Sequence, residues 1–171
     1  MDFQELLSAI PQVGLVRWIG VRPEPRAPLL VSSSVTADEV QGLVGDRFDG
    51  GASKSRQVTL LQFEHLAVMA SILGRDSIDP GLLRRNIVVS GINLQSLKNQ
   101  HFQIGTAVLF GTGDCAPCRR MEENLGPGGH AAMRGHGGIT ARVHQAGRIE
   151  VGDCVALRRV ADSVALSAEH R

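Results

Sequence analysis

The first predicted element lies where apolar and polar residues start to alternate. "QVGLVRWIGVRP" (12–23) alternates in this way and stops at a proline, which predicts a strand. The β-branched run in "APLLVSSSVTADE" (27–39) predicts a second strand. A glycine-rich loop follows, then a strand at about 56–62. There the period changes. Phe63, Leu66, Ala67, Ala70 and Leu73 recur at helical spacing, so 62–74 is expected to be a helix stopping at Gly74. "DPGLLRRN" (79–86) offers Asp79 as a cap and Pro80 just inside, the signature of a short helix. "NIVVSGINL" (86–94) predicts a strand, and "HFQIGTAVLFGTG" (101–113) predicts two strands turning at "IG". "CRRMEENLG" suits one or two helical turns ending at Gly126. Residues 137–160 predict a β-hairpin turning at "QAG", then a closing strand after "VGD". The polar tail 161–171 is expected to fray.

The resulting order, ββ-α-ββ-ββ, lacks the strict strand–helix alternation of a doubly wound sheet. It predicts a mainly β fold, a closed or strongly curved β-barrel with helices on its flank. The 171 residues suffice for one domain with its own core, and neither a repeat nor a linker interrupts them.

Composition acts mainly by exclusion. Eighteen basic against 17 acidic residues leave a net charge of +1, so nothing global attracts nucleic acid. Aromatics are only 4% and Tyr is absent, which removes the stacking platforms of single-strand binders. No apolar run approaches the ~20 residues of a membrane helix. The start, "MDFQELLSAIPQVG", lacks the basic and long apolar regions of a secretory signal. The expected location is therefore the cytoplasm, without membrane or nucleic-acid partners and with thiols reduced. Twenty glycines stand out, and suggest tight turns and backbone lining a ligand site.

Candidate chemistry centres on "GDCAPCRRMEE" (113–123). Cys115, Cys118, His130 and His136 approach a zinc-site spacing, but both histidines lie in a glycine-rich stretch rather than on one helix. A redox dithiol fits "CAPC", yet the motif comes late in a β-rich region instead of in an early βαβ unit. In a third reading one thiolate holds another group. Cys118 then leads, because Arg119 and Arg120 follow it directly and favour its anion. Cys154, in "GDCVAL", is expected to be a small buried residue of the closing strand. Three segments carry local positive charge: Lys54, Ser55 and Arg56; Arg84, Arg85 and Asn86; Arg119 and Arg120. If the barrel gathers Lys54, Arg56, Arg84 and Asn86 round Cys118, they form a pocket for phosphate or another oxyanion.

Five segments in order carry a resemblance: "GLVGDRFDG", "KSRQVTLLQFEHL", "LLRRNIVVSGINL", "FQIGTAVLFGTGDCAPCRRME" and "RGHGGITARVHQAGRIEVGDCVAL". Over residues 13–160 the chain resembles the MOSC domain, the C-terminal domain of molybdenum cofactor sulfurases. It looks like a small stand-alone bacterial-type member, with 1–12 as an N-terminal extension and 161–171 as a C-terminal tail. The resemblance implies a MOSC-type β-barrel that binds the molybdenum cofactor (molybdopterin) or its sulfur cargo. It implies Cys118 as the cysteine that ligates molybdenum or carries sulfur, with Cys115 accessory. Lys54, Ser55 and Arg56 match one cofactor-contact segment of members that reduce N-hydroxylated compounds, and Arg84 and Asn86 match a second. Arg119 joins them as a cofactor contact, and His136 is placed near the rim. A small-molecule substrate and an external electron or sulfur donor protein are implied partners. A non-catalytic sulfur or cofactor carrier using a Cys118 persulfide, and a thiol–disulfide oxidoreductase, remain alternatives.

Overall fold

The computed structural model describes residues 2–48 and 52–158, so the tail expected at 161–171 lies outside the described residues. In chain order the elements are α1 (Phe3–Ser8), β1 (Gly14–Val21), β2 (Leu30–Ser32), β3 (Ser34–Asp38), β4 (Gly42–Leu43) and β5 (Val58–Gln62). Then come α2 (Phe63–Ile72), β6 (Ile87–Ser90), β7 (His101–Ile104), β8 (Ala107–Asp114) and α3 (Arg119–Leu125). α4 (Gly129–Met133), β9 (Ile139–Gln145), β10 (Gly147–Glu150) and β11 (Cys154–Leu157) complete the set. Short 3-10 turns occupy Pro80–Leu83 and Leu94–Leu97. No described helix is long and apolar enough to cross a membrane.

Seven strands close into a barrel in the order β1-β11-β7-β8-β9-β5-β6, with β6 returning to β1. All pairs are antiparallel except β5–β6, which α2 joins as a crossover. β1 is long enough to share one edge between two partners. Gly14 and Leu15 pair with β11, while Ile19, Gly20 and Val21 pair with β2. A bulge between Val16 and Trp18 shifts the alternation, so Val16 and then Ile19 and Val21 are buried. β10, β3 and β4 form a separate small sheet. The predicted hairpin at "QAG" is thereby corrected. The chain does turn there, but β9 pairs with β5 and β8, whereas β10 crosses to β3.

β5 is buried on both faces, and this divides the core in two. Val58 and Leu60 join Ile19, Ile87, Phe102 and Leu109 in the barrel interior. Leu61 and Val88 point outward and meet α2, α3 and α4 through Met69, Met121, Leu125 and Met133. The predicted helix at 62–74 is present, but its buried face is Leu66, Met69 and Ala70; Phe63 and Ala67 are exposed. Arg17 covers Phe63 instead, 4.6 Å above the ring centroid.

Close backbone approach explains two of the glycines. Gly138 holds φ +84 at the start of β9, and a Cβ there would overlap the Leu60 carbonyl oxygen. A Cβ on Gly137 would overlap the Cys115 carbonyl oxygen. Gly138→Ala is expected to cost about 2–4 kcal/mol, since strain and a backbone clash coincide. Urea unfolding would measure it; a loss under about 0.5 kcal/mol would contradict this packing.

Candidate functional site

Met121 and Leu125, one helical turn apart, anchor α3 against the outer core and so fix its rotation. Cys118 is its N-cap residue, in extended conformation and exposed. Arg120 turns with it toward a cavity of about 300 Å³. Arg119 faces the other way. Its side chain is 93% exposed and reaches Glu123 at 3.6 Å, so the helix period places Arg120 at the cavity and Arg119 in solvent.

Seven arginines line this cavity: Arg22, Arg26, Arg47, Arg56, Arg84, Arg85 and Arg120. Cys115, Cys118 and Thr59 share its wall, and no carboxylate lines it among the described residues. Asp46 stands behind, its side chain fully buried, and takes two bonds from the Arg22 guanidinium at 3.0 and 2.7 Å. Arg26 and Arg84 both hold left-handed backbone, φ 65 and 56. Such conformations cost of order 1 kcal/mol or more in a residue other than glycine and cluster at functional sites. Arg84 Nη1 donates to the Ala27 carbonyl at 2.6 Å, tying these two segments together.

Arg85 is built into the wall. Its guanidinium donates to the carbonyls of Gly137 (2.8 Å), Leu83 (3.0 Å) and Cys115 (3.0 Å), and more weakly to Ala116 (3.4 Å). Burial pushes its pKa down, with Arg56 and Arg22 adding to the effect and Cys115 and Cys118 opposing it. Arg84 is lowered by burial first, then by Arg120 and Arg22. The cations thus face one another across the cavity. An anion placed between them relieves that repulsion.

Asn86 lies fully buried beneath. Its Oδ1 accepts from Thr59 N (3.0 Å), Thr59 Oγ1 (2.9 Å) and Arg22 Nη2 (3.3 Å). Its Nδ2 donates to Gly20 O (3.2 Å) and Asp46 Oδ1 (3.1 Å). It supports the floor and orients Arg22, and does not itself line the cavity.

Of the residues singled out from sequence, the fold brings Arg56, Arg84 and Cys118 to one cavity and sets Asn86 under it. Lys54 departs from the expectation: it adopts φ 51, and its ammonium donates to the Glu39 carbonyl at 3.2 Å. Ser55 Oγ meets Ser53 Oγ at 3.2 Å, and its carbonyl accepts from the Thr112 hydroxyl. His136 also lies off the cavity wall, its ring edge-on to His65 at 4.7 Å, while His130 lines a neighbouring cavity.

The cysteines divide unexpectedly. Cys115 is 1% exposed, and Arg56 Nη2 donates to its Sγ at 3.7 Å. Cys154, expected to be buried, is exposed, because β11 turns Val155 into the barrel and Cys154 outward. Sequence reasoning missed Arg22, Arg26 and Arg47. The available signal was "RPEPR" and "GDR", cations in turn-forming segments that follow strands.

Comparison with solved structures shows similar folds. YuaD from Bacillus subtilis superposes with a TM-score of 0.73 at 20% identity, covering 86% of this chain and 97% of that one. YiiM from Geobacillus stearothermophilus gives 0.70 at 18% identity, covering 85% and 75%. YiiM from Escherichia coli gives 0.64 at 15%, covering 85% and 70%. No sequence match was found among curated proteins. The MOSC domain family model matches residues 26–156, from the arginine-bearing turn after β1 through to β11. With that match spanning most of its length, the chain belongs to the MOSC domain family.

Proposed function

We propose that the arginine-lined cavity binds the molybdenum cofactor and that Cys118 is the thiolate that ligates molybdenum. The carrying observation is the donor set: seven guanidiniums with no lining carboxylate among the described residues, beside an exposed thiol. Guanidinium forks suit a terminal phosphate, and a soft thiolate suits molybdenum, so the residues present fit the group. Arg56, Arg84 and Arg120 would hold the phosphate. Arg22, fixed by Asp46 and Asn86, would form the back of the site. Arg85 would keep the Cys115–Cys118 segment in place by its bonds to the Cys115 and Ala116 carbonyls. When bound, the cofactor would supply two-electron reduction of a small N-hydroxylated substrate, with electrons from an external donor protein. The chain's own residues would bind and orient it.

A second reading is a carrier that holds sulfur on Cys118 for transfer, without turnover of its own. The second sulfur on the same wall, at Cys115, favours it. Serine replacement of each cysteine tests the shared claim. In protein from a host that makes the cofactor, Cys118→Ser is expected to lose bound molybdenum, and Cys154→Ser to keep it. Cys115→Ser is expected to weaken binding at most. Retained molybdenum in Cys118→Ser would remove the first reading, and sulfane sulfur retained by Cys118→Ser would remove the carrier reading, while turnover in the wild type separates enzyme from carrier.

A further inference from the structure

The two cysteines of "CAPC" line one cavity but differ in every other respect. Cys118 is open to solvent, at the junction where the chain enters α3. Cys115 is buried, and its segment is clamped: its amide donates to the Gly138 carbonyl at 2.9 Å, and its carbonyl accepts from Arg85 at 3.0 Å. Its sulfur is the acceptor of the Arg56 guanidinium. Thiol exchange uses this asymmetry, an accessible sulfur that is loaded and a sheltered one that resolves it. A packing role alone would not call for a thiol that faces the arginine cavity beside Cys118.

We propose that Cys115 is the resolving thiol for sulfur carried on Cys118, so that the site releases hydrosulfide from a small-molecule persulfide. The inference rests on Cys118 being the working thiol. In the first step the Cys118 thiolate takes the sulfane sulfur from the donor, which leaves as a thiolate. Cys115 Sγ then attacks Cys118 Sγ. The new bond is the Cys115–Cys118 disulfide, and the bond that breaks joins Cys118 Sγ to the sulfane sulfur. That sulfur departs with the electron pair as hydrosulfide, and the Cys115 proton passes to solvent. The sulfane sulfur gains two electrons, and the two cysteine sulfurs give one each. An external dithiol restores the pair. The surrounding guanidiniums favour departure of an anion, and a better-stabilised leaving group leaves faster.

The test uses the full chain, reduced and freed of thiol, then treated with glutathione persulfide. Hydrosulfide is measured in solution, and the protein is alkylated and mapped by peptide mass. Wild type is expected to release hydrosulfide stoichiometric with chain and to yield a Cys115–Cys118 disulfide peptide. Cys115→Ser and Cys115→Ala are expected to hold the extra sulfur on Cys118 and to release it at least tenfold more slowly. Wild type that retains sulfur as stably as these variants would overturn the proposal and leave Cys118 as the working thiol. No sulfur on Cys118 in any of the proteins would overturn the proposal together with the carrier reading. The wild-type disulfide map stands on its own if either variant folds poorly, and a disulfide to Cys154 there would also contradict the proposal.

Discussion

Arg85→Met is expected to destabilise the protein by about 3–5 kcal/mol, among the larger effects of a single substitution. The side chain would still fill much of the space, but the buried carbonyls of Leu83, Cys115 and Gly137 would lose their donor. Each unsatisfied buried carbonyl costs about 1–3 kcal/mol, offset in part by no longer burying a cation. Arg85→Lys keeps the charge but cannot reach three carbonyls in different directions, so it is expected to recover less than half of the loss. Urea unfolding with an unchanged slope would read both values. A loss below about 1 kcal/mol for Arg85→Met would show that the guanidinium is not the clamp of the Cys115 segment.

The second large effect concerns charge. Arg56→Glu combined with Arg120→Glu is expected to lower the cofactor content of protein from a cofactor-making host by at least about a hundredfold. Each change removes a charge-assisted donor worth about 1.5–3 kcal/mol and adds a repelling carboxylate. Both side chains reach the cavity from partly open positions, so circular dichroism and thermal unfolding should stay near wild type. Arg119→Glu on the same helix is the control. Its side chain points to solvent, and cofactor content should change less than about twofold. Equal loss in the control would mean that net charge, rather than this cavity, governs binding.

Much of this was legible in the sequence wherever a local period decided it. The alternation in 12–23, the helical spacing after Gln62 and the turn at "IG" all appear as strands, helix and hairpin. The mainly β barrel follows from the order of those elements. What local pattern does not carry is which strands pair across long separations, so β9 and β10 looked like one hairpin although they belong to two sheets. The site shows the same boundary. Arg56 and Arg84 were recognisable as basic residues beside turns, and they do converge with Cys118. Choosing Arg120 over Arg119 needed the rotation of α3, which Met121 and Leu125 set against an outer core that has no local signature. Lys54 failed to converge because a left-handed backbone turns it toward Glu39. Cys154 misled because either face of a closing strand can be the inner one until the register is known.

In the proposed function one cavity, walled by arginines and Cys118, holds a molybdenum-bearing group. Anomalous diffraction at the molybdenum absorption edge, on crystals of wild-type protein from a cofactor-making host, tests it most directly. One anomalous peak is expected in bonding contact with Cys118 Sγ, within the cavity bordered by Arg56, Arg84 and Arg120. A peak elsewhere on the molecule, or none in protein whose cavity is otherwise ordered, would contradict it.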